Sequence, residues 1–178
     1  MTSMRSALIA LIGLLACGSI AHAQSQSWDK VLSASRRFVV LDAFAGEAVL
    51  DKETGLVWER TPGDVNADGV LNSEDEQNWF LAQHHCRALA VGNRRGWRLP
   101  SPQELASLSD PSVTPALPIG HPFNMNSLAH FWSAGTDAST PTQAYAVAFS
   151  NGRASLGIKG FHAFLVWCVR GGPGIDPQ

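Results

Sequence analysis

Two cysteines, Cys86 and Cys168, limit what this chain can fold into more than any other feature. The third, Cys17, lies in the leader, MTSMRSALIALIGLLACGSIAHAQS. One arginine, an apolar run and small residues ending Ala21-His22-Ala23 give that leader the pattern of a secretory signal peptide cut after Ala23. The run is too short for a membrane span, and a polar stretch follows it. Leu14-Leu15-Ala16-Cys17 also resembles a bacterial lipobox, although Leu15 is not the residue type preferred there. Cleavage at that point would leave a lipidated Cys17 and a membrane-anchored lipoprotein. On either route the folded part keeps only Cys86 and Cys168, in an oxidising compartment. One disulfide between them is the default, worth about 4 kcal/mol in the chain-entropy account for so long a loop. A zinc site using Cys86 with His84 or His85 is the rival, weakened by the lack of a second close pair of ligands.

The remaining chain is the size of one domain. It has 178 residues in all, 45% hydrophobic and 16% charged, which suits a packed core rather than disorder. A net charge of −2 gives no reason to expect nucleic acid as a partner. The expected layout is a signal peptide over 1–23, a flexible lead-in over 24–35, a domain over 36–172 and a tail over 173–178. "RFVVL" predicts a strand. "AVLDKETGLVWER" predicts a hairpin, with strands at Ala48–Leu50 and Leu56–Glu59 around a Lys-Glu-Thr-Gly turn. A helix is predicted from about Glu74 to Ala90, with Trp79, Ala82, Cys86 and Leu89 on one face and Ser73 and Glu76 as a capping box. His84 points away from that stripe. A second short helix is predicted to begin near Pro102. After a long loop, "HFWSAGT" reads as a strand and "AYAVAFSNGRASLGI" as a hairpin turning at Asn151-Gly152. "FLVWCVR" reads as the last strand. The fold class is α+β, with two helices packed on antiparallel strands and hairpins.

Between the first hairpin and the first long helix lies "TPGDVNADGVLNSEDEQNW", with five acidic residues and no basic one. Counted from Asp64, the positions match an EF-hand loop: Asp64 at 1, Asn66 at 3, Asp68 at 5, Val70 at 7, Asn72 at 9 and Asp75 at 12, with Gly69 at 6. Oxygen ligands at those steps suit a hard cation, Gly69 permits the sharp turn, and Val70 offers a carbonyl. The segment resembles a dockerin calcium repeat. It lacks an entering helix and a second repeat, which argues against docking as a dockerin does. Calcium is therefore the expected cofactor. Its expected role is a structural staple that pins the loop to the helix it precedes.

The series "GLVW … HC … GWRLP … EL … FWS … CVRGG", with "PALPIGHPF" between, resembles the Lcl C-terminal domain family over roughly residues 36–178. The resemblance implies a C-type-lectin-like fold, in which a disulfide from the first helix to the last strand is a hallmark. It also implies a bacterial protein, secreted or attached to the cell surface. The family's named member is an adhesin domain that binds sulfated polysaccharides, and fold alone does not transfer that activity. The Glu/Gln-Pro-Asn/Asp and Trp-Asn-Asp triplets of calcium-dependent lectins do not occur here.

The ligand-binding candidates are Arg94 and Arg95, in a turn where, with Arg87, they would attract sulfates or carboxylates. Beside them stand His121, Asn124, Asn126, His130 and Trp132, in or next to the long loop. Most of the tryptophans are expected in the core. No GxSxG, HExxH or phosphate loop is present, so no enzyme is expected. The expected partner is a polysaccharide or another cell-surface ligand, with no nucleic acid, and with a membrane only through a lipidated Cys17. The alternative is a protein–protein interaction module with a purely structural calcium. A homo-oligomer is open.

Overall fold

The first hairpin is built as its pattern demands. In the computed structural model, strands β1 (Phe38–Val40), β2 (Ala48–Asp51) and β3 (Leu56–Glu59) pair antiparallel in sequence order. Gly55 has φ +72°, which the β2–β3 turn requires of it. Asp51 holds that turn, accepting from the Thr54 hydroxyl at 2.9 Å and the Glu53 N–H at 3.0 Å. Asp51 is fully buried, and Arg37 meets it with two bonds of 2.9 and 2.7 Å. A buried carboxylate stays in place only when paired in this way. Arg37 belongs to a one-turn helix, α1 (Ala34–Arg37), and also donates to the Ser107 carbonyl at 2.8 Å.

The structure describes residues 32–66, 68, 70–125 and 129–172. The expected signal peptide, the Cys17 lipobox, the start of the lead-in, Gly69, Asn126 and the 173–178 tail lie outside the described residues. Among the described residues no helix is long and apolar enough to cross a membrane.

The long helix is shorter than its pattern suggests and starts later. Ser73–Asp75 forms a 3-10 turn, the chain then runs extended, and α2 covers Trp79–Ala88. The reason is Gln77, which exchanges backbone bonds with Phe164 in both directions and is thereby held out of a helix. Asn78 caps α2 by accepting from the Leu81 N–H at 3.1 Å. The expected Ser73/Glu76 capping box is replaced by Asn72 and Asp75, one residue earlier, around the 3-10 turn. The expected apolar face holds: Ala82 and Cys86 are buried, with Trp79 and Leu89 packed against the same cluster. His84 is exposed.

Helix α3 (Pro102–Ser107) begins at a Ser101/Glu104 capping box with proline in its first turn. Arg98, from the "GWRLP" run, grips Glu104 with two bonds of 2.7 Å and reaches the Gly171 carbonyl at 2.9 Å. Burial alone would raise the Glu104 pKa. The Arg98 and Ser101 bonds outweigh it and hold the carboxyl below its ordinary value.

A second antiparallel sheet holds β4 (His130–Thr136), β5 (Gln143–Ala148) and β6 (Arg153–Ile158), in that order. Asn151-Gly152 makes the β5–β6 turn as expected, with Gly152 at φ +72°. The final apolar run departs from the expected strand. Only Val169–Arg170, β7, pairs with β3 to close the first sheet. The preceding residues divide their backbone bonds: Phe164 with Gln77, Leu165 with β4, Cys168 with Glu59. Leu165 to Val169 are all buried. This run is a spine shared by both sheets, not a strand of one.

Two clusters form the core. One gathers Trp58, Trp167, Phe131, Phe149 and Phe123 around ring contacts of 4.9 to 5.6 Å. The other surrounds the Cys86–Cys168 bridge with Ala82, Trp97, Leu99 and Trp132. The disulfide is formed, so the cysteines are not zinc ligands. The architecture is α+β.

Candidate functional site

Three chain segments meet at the end of β3. Glu59 closes the strand, Thr61 and Asp64 lead into the acidic loop, and Leu89–Val91 follow α2. With Glu47, at the start of β2, they line a cleft of about 240 Å³. One wall is carboxylic and the other apolar. Glu59 Oε2 accepts from the Cys168 N–H at 3.3 Å, which ties the cleft to the disulfide. Glu47 accepts from the Gly92 N–H at 3.3 Å. Neither glutamate has a basic partner among the described residues. Burial pushes the Glu59 carboxyl up to about 8, the Cys168 N–H opposes the rise, and the charge of Asp64 adds to it.

Asn124 supports Thr61 from outside the cleft lining. Its side chain donates to the Thr61 hydroxyl at 3.0 Å, and its backbone N–H donates to the Arg60 carbonyl at 2.9 Å. Arg60 is outside the cleft lining and holds the same loop through the Pro122 carbonyl at 3.1 Å, with its other end on the Gly46 carbonyl at 3.2 Å. His121 lies one step further along that loop, 5.8 Å from the Phe123 ring. Its Nδ1 is buried without a partner among the described residues, and burial lowers its pKa.

The other sequence-derived candidates lie apart. Arg94 sits in the turn after Val91, where its guanidinium covers the Phe44 ring at 4.6 Å and donates to the Ala43 carbonyl. It is engaged in holding the Asp42–Phe44 turn. Arg95 is exposed. His130 is on the second sheet, stacked on Phe164 at 5.1 Å. Trp132 corrects the expectation: it is fully buried and its indole N–H bonds the Gln77 carbonyl at 2.7 Å. It has no face to offer a ligand, because it fills the core beside Gly157.

The acidic loop is tied together by its own side chains. Asp68 N–H donates to Asp64 Oδ1 at 3.0 Å and to Asn66 Oδ1 at 3.1 Å, and Val70 N–H donates to Asp68 Oδ1 at 2.7 Å. Asp75 is fully buried. It accepts from the N–H groups of Val65 at 2.9 Å, Asn66 at 3.4 Å and Asn72 at 3.0 Å, folding the last position back onto the first. The donor set is all oxygen, which fits a hard cation. Among the described residues no three acidic, histidine or cysteine side chains group closely enough to hold a metal.

The pattern reading missed Glu47, Glu59 and Thr61. A signal for Glu59 was present. Residues 57 and 59 share one face of β3, and Val57 packs on the disulfide cluster, so a carboxyl at 59 leaves water. Glu47 and Thr61 carry no such mark, because only the folded chain brings them together.

The family model of the Lcl C-terminal domain matches residues 47–170. No curated protein matches the chain.

Proposed function

This chain belongs to the Lcl C-terminal domain family, and on that premise we propose that it is a bacterial binding protein, secreted or held at the cell surface. Its ligand is a polysaccharide or another surface ligand. The observation that carries this reading is the open cleft between Glu59 and Leu89–Val91. A few convergent polar groups against an apolar wall is the usual make-up of a recognition site. Carboxylates and a threonine hydroxyl accept from sugar hydroxyls, and the apolar wall suits a sugar's carbon face.

The fold implied by the family resemblance is C-type-lectin-like, and the Cys86–Cys168 bridge from the long helix to the chain's end supports it. The leader supports export, with anchoring through Cys17 as the other route. Calcium at Asp64, Asn66, Asp68, Val70, Asn72 and Asp75 would supply positive charge where Asp64, Asp68 and Asp75 otherwise repel one another. These residues would hold the loop against the start of α2, and the ion's role is structural. Extracellular sites as weak as roughly 10⁻⁴–10⁻³ M still stabilise by mass action.

One observation favours a protein partner instead: Ile119 and Phe161 are each 81% exposed, the most exposed large apolar side chains among the described residues.

A glycan array that includes sulfated polysaccharides, run in calcium and again in chelator, tests the reading. Binding in calcium alone supports a glycan-binding protein whose loop matters to function. Binding in both keeps the glycan and leaves the loop dispensable. No binding from folded protein in either condition transfers the function to protein recognition.

A further inference from the structure

We propose that the cleft takes a free amino group of an amino sugar, with Glu59 and Glu47 as its carboxylate acceptors and Leu89–Val91 against its ring. This rests on the polysaccharide reading above and names its ligand class. The size of the cleft sets the first limit. About 240 Å³ is below the roughly 300–1,000 Å³ of drug-sized sites, so it encloses about one sugar residue at a time.

Charge sets the second limit. Glu47 and Glu59 face a cleft also lined by Asp64, and no guanidinium or ammonium of the described chain pairs with either glutamate. Glu59 has one bonded oxygen, Oε2, on the Cys168 N–H. Its Oε1 has no donor among the described residues. A half-buried carboxyl with spare acceptor capacity suits a cationic donor from outside, and an entering ammonium favours the ionised form that burial otherwise opposes. The same surroundings repel a sulfate or a uronic acid. The arginines that would hold those anions are elsewhere: Arg94 covers Phe44, and Arg60 faces Gly46 and Pro122.

The third limit is shape. An alkylammonium would satisfy the carboxylates and leave the Thr61 hydroxyl without a ligand partner. A hydroxylated ring presents the ammonium to Glu59 and a ring hydroxyl to Thr61, which Asn124 holds in place with a bond of 3.0 Å.

Calorimetric titration of the protein at low ionic strength, with glucosamine, N-acetylglucosamine, glucose and butylamine, tests this. Glucosamine is expected to bind at least about tenfold more tightly than its acetylated or neutral counterparts, because a charge-assisted bond is lost with the amine. Glu59→Gln should remove that preference. It keeps the carbonyl that accepts from Cys168, so the fold is retained, and circular dichroism checks this. A cleft-blocking Ala90→Trp variant should lose the binding with both glutamates in place. Equal binding of N-acetylglucosamine or glucose overturns the amine assignment. Butylamine matching glucosamine overturns the sugar. If no small probe binds while the glycan array is positive, this cleft is not the site and the polysaccharide reading survives. If both are negative, both fall.

Discussion

Glu59 is a carboxyl at the end of a strand on a face that packs against the disulfide cluster. Its raised pKa has a consequence for folding. The unfolded chain ionises this group near its ordinary 4.5, and the folded chain ionises it at about 8. Between those values the unfolded state binds fewer protons, so stability falls as pH rises and levels off above the folded value. Glu59→Gln should flatten that slope. In chelator, at pH 8, the variant should be more stable than the parent by roughly 1–2 kcal/mol, less than full linkage because Glu59 is only half-buried and lines an open cleft. At pH 4 the two should converge. Urea unfolding at both pH values measures this, and a slope that persists in the variant would place the titration on another group. Buried acids of this kind are the hardest residues to read in a sequence. Asp51 and Asp75 are fully buried. Their partners, Arg37 and the N–H groups of Val65 and Asn66, are brought to them by the fold. Asp75 also shows how one residue suits two explanations: the EF-hand spacing makes it a ligand, and the folded loop makes it the acceptor for three backbone donors.

At the scale of elements, local chemistry was legible wherever local chemistry decides. The β2–β3 hairpin, the Asn151-Gly152 turn and the Pro102 helix lie where turn residues and alternation put them. The failures share one cause, backbone bonds to distant partners. Helical periodicity extends back to Glu74, and Gln77 departs from it because Phe164 takes both its backbone groups. Likewise "FLVWCVR" is strand-like throughout, yet its neighbours are an isolated residue, β4 and β3 in turn, so only two residues count as strand. These two departures are the same contact seen from each side. The cap of α2 follows from it. Asn78→Ala removes the side-chain acceptor for the Leu81 N–H and should cost about 1 kcal/mol. Ser73→Ala should change stability by less than about 0.5 kcal/mol, because Ser73 is exposed and its side chain caps nothing. Thermal unfolding of the pair decides between a helix starting at Trp79 and one starting near Glu74. The reverse order of effects would restore the longer helix.

For the molecule as a whole, the folded unit extends beyond the family's matched span. Residues before Glu47 contribute β1, which pairs with β2, and Phe38, which meets the Phe123 ring at 5.1 Å. Arg37 reaches from there to α3. The covalent long-range tie is the disulfide, across a sequence separation of 82. It joins α2 to the shared spine at the residue whose backbone N–H and carbonyl both bond Glu59. Its loss therefore acts twice: it widens the unfolded ensemble and it frees one wall of the cleft. The entropy of a loop this long sets the first effect at about 4 kcal/mol. For a domain of this size that corresponds to a melting temperature lower by about 10 °C or more. Cys86→Ala with Cys168→Ala is the better variant for the measurement, since serine would also bury two hydroxyls. Dithiothreitol should lower the melting temperature of the parent to near that of the double variant and leave the variant unchanged. If the parent ignores the reductant while its disulfide is shown to be open, the variant's deficit is a packing loss among Ala82, Trp97 and Trp132 and not the missing cross-link. Asp64→Ala with Asp68→Ala separates the second candidate staple in the same assay. If calcium is bound, that variant falls further below the parent in calcium than in chelator, where only the Asp64 and Asp68 acceptor bonds are lost, and its calcium-dependent deficit adds to that of the cysteine variant because the loop and the bridge hold opposite ends of α2.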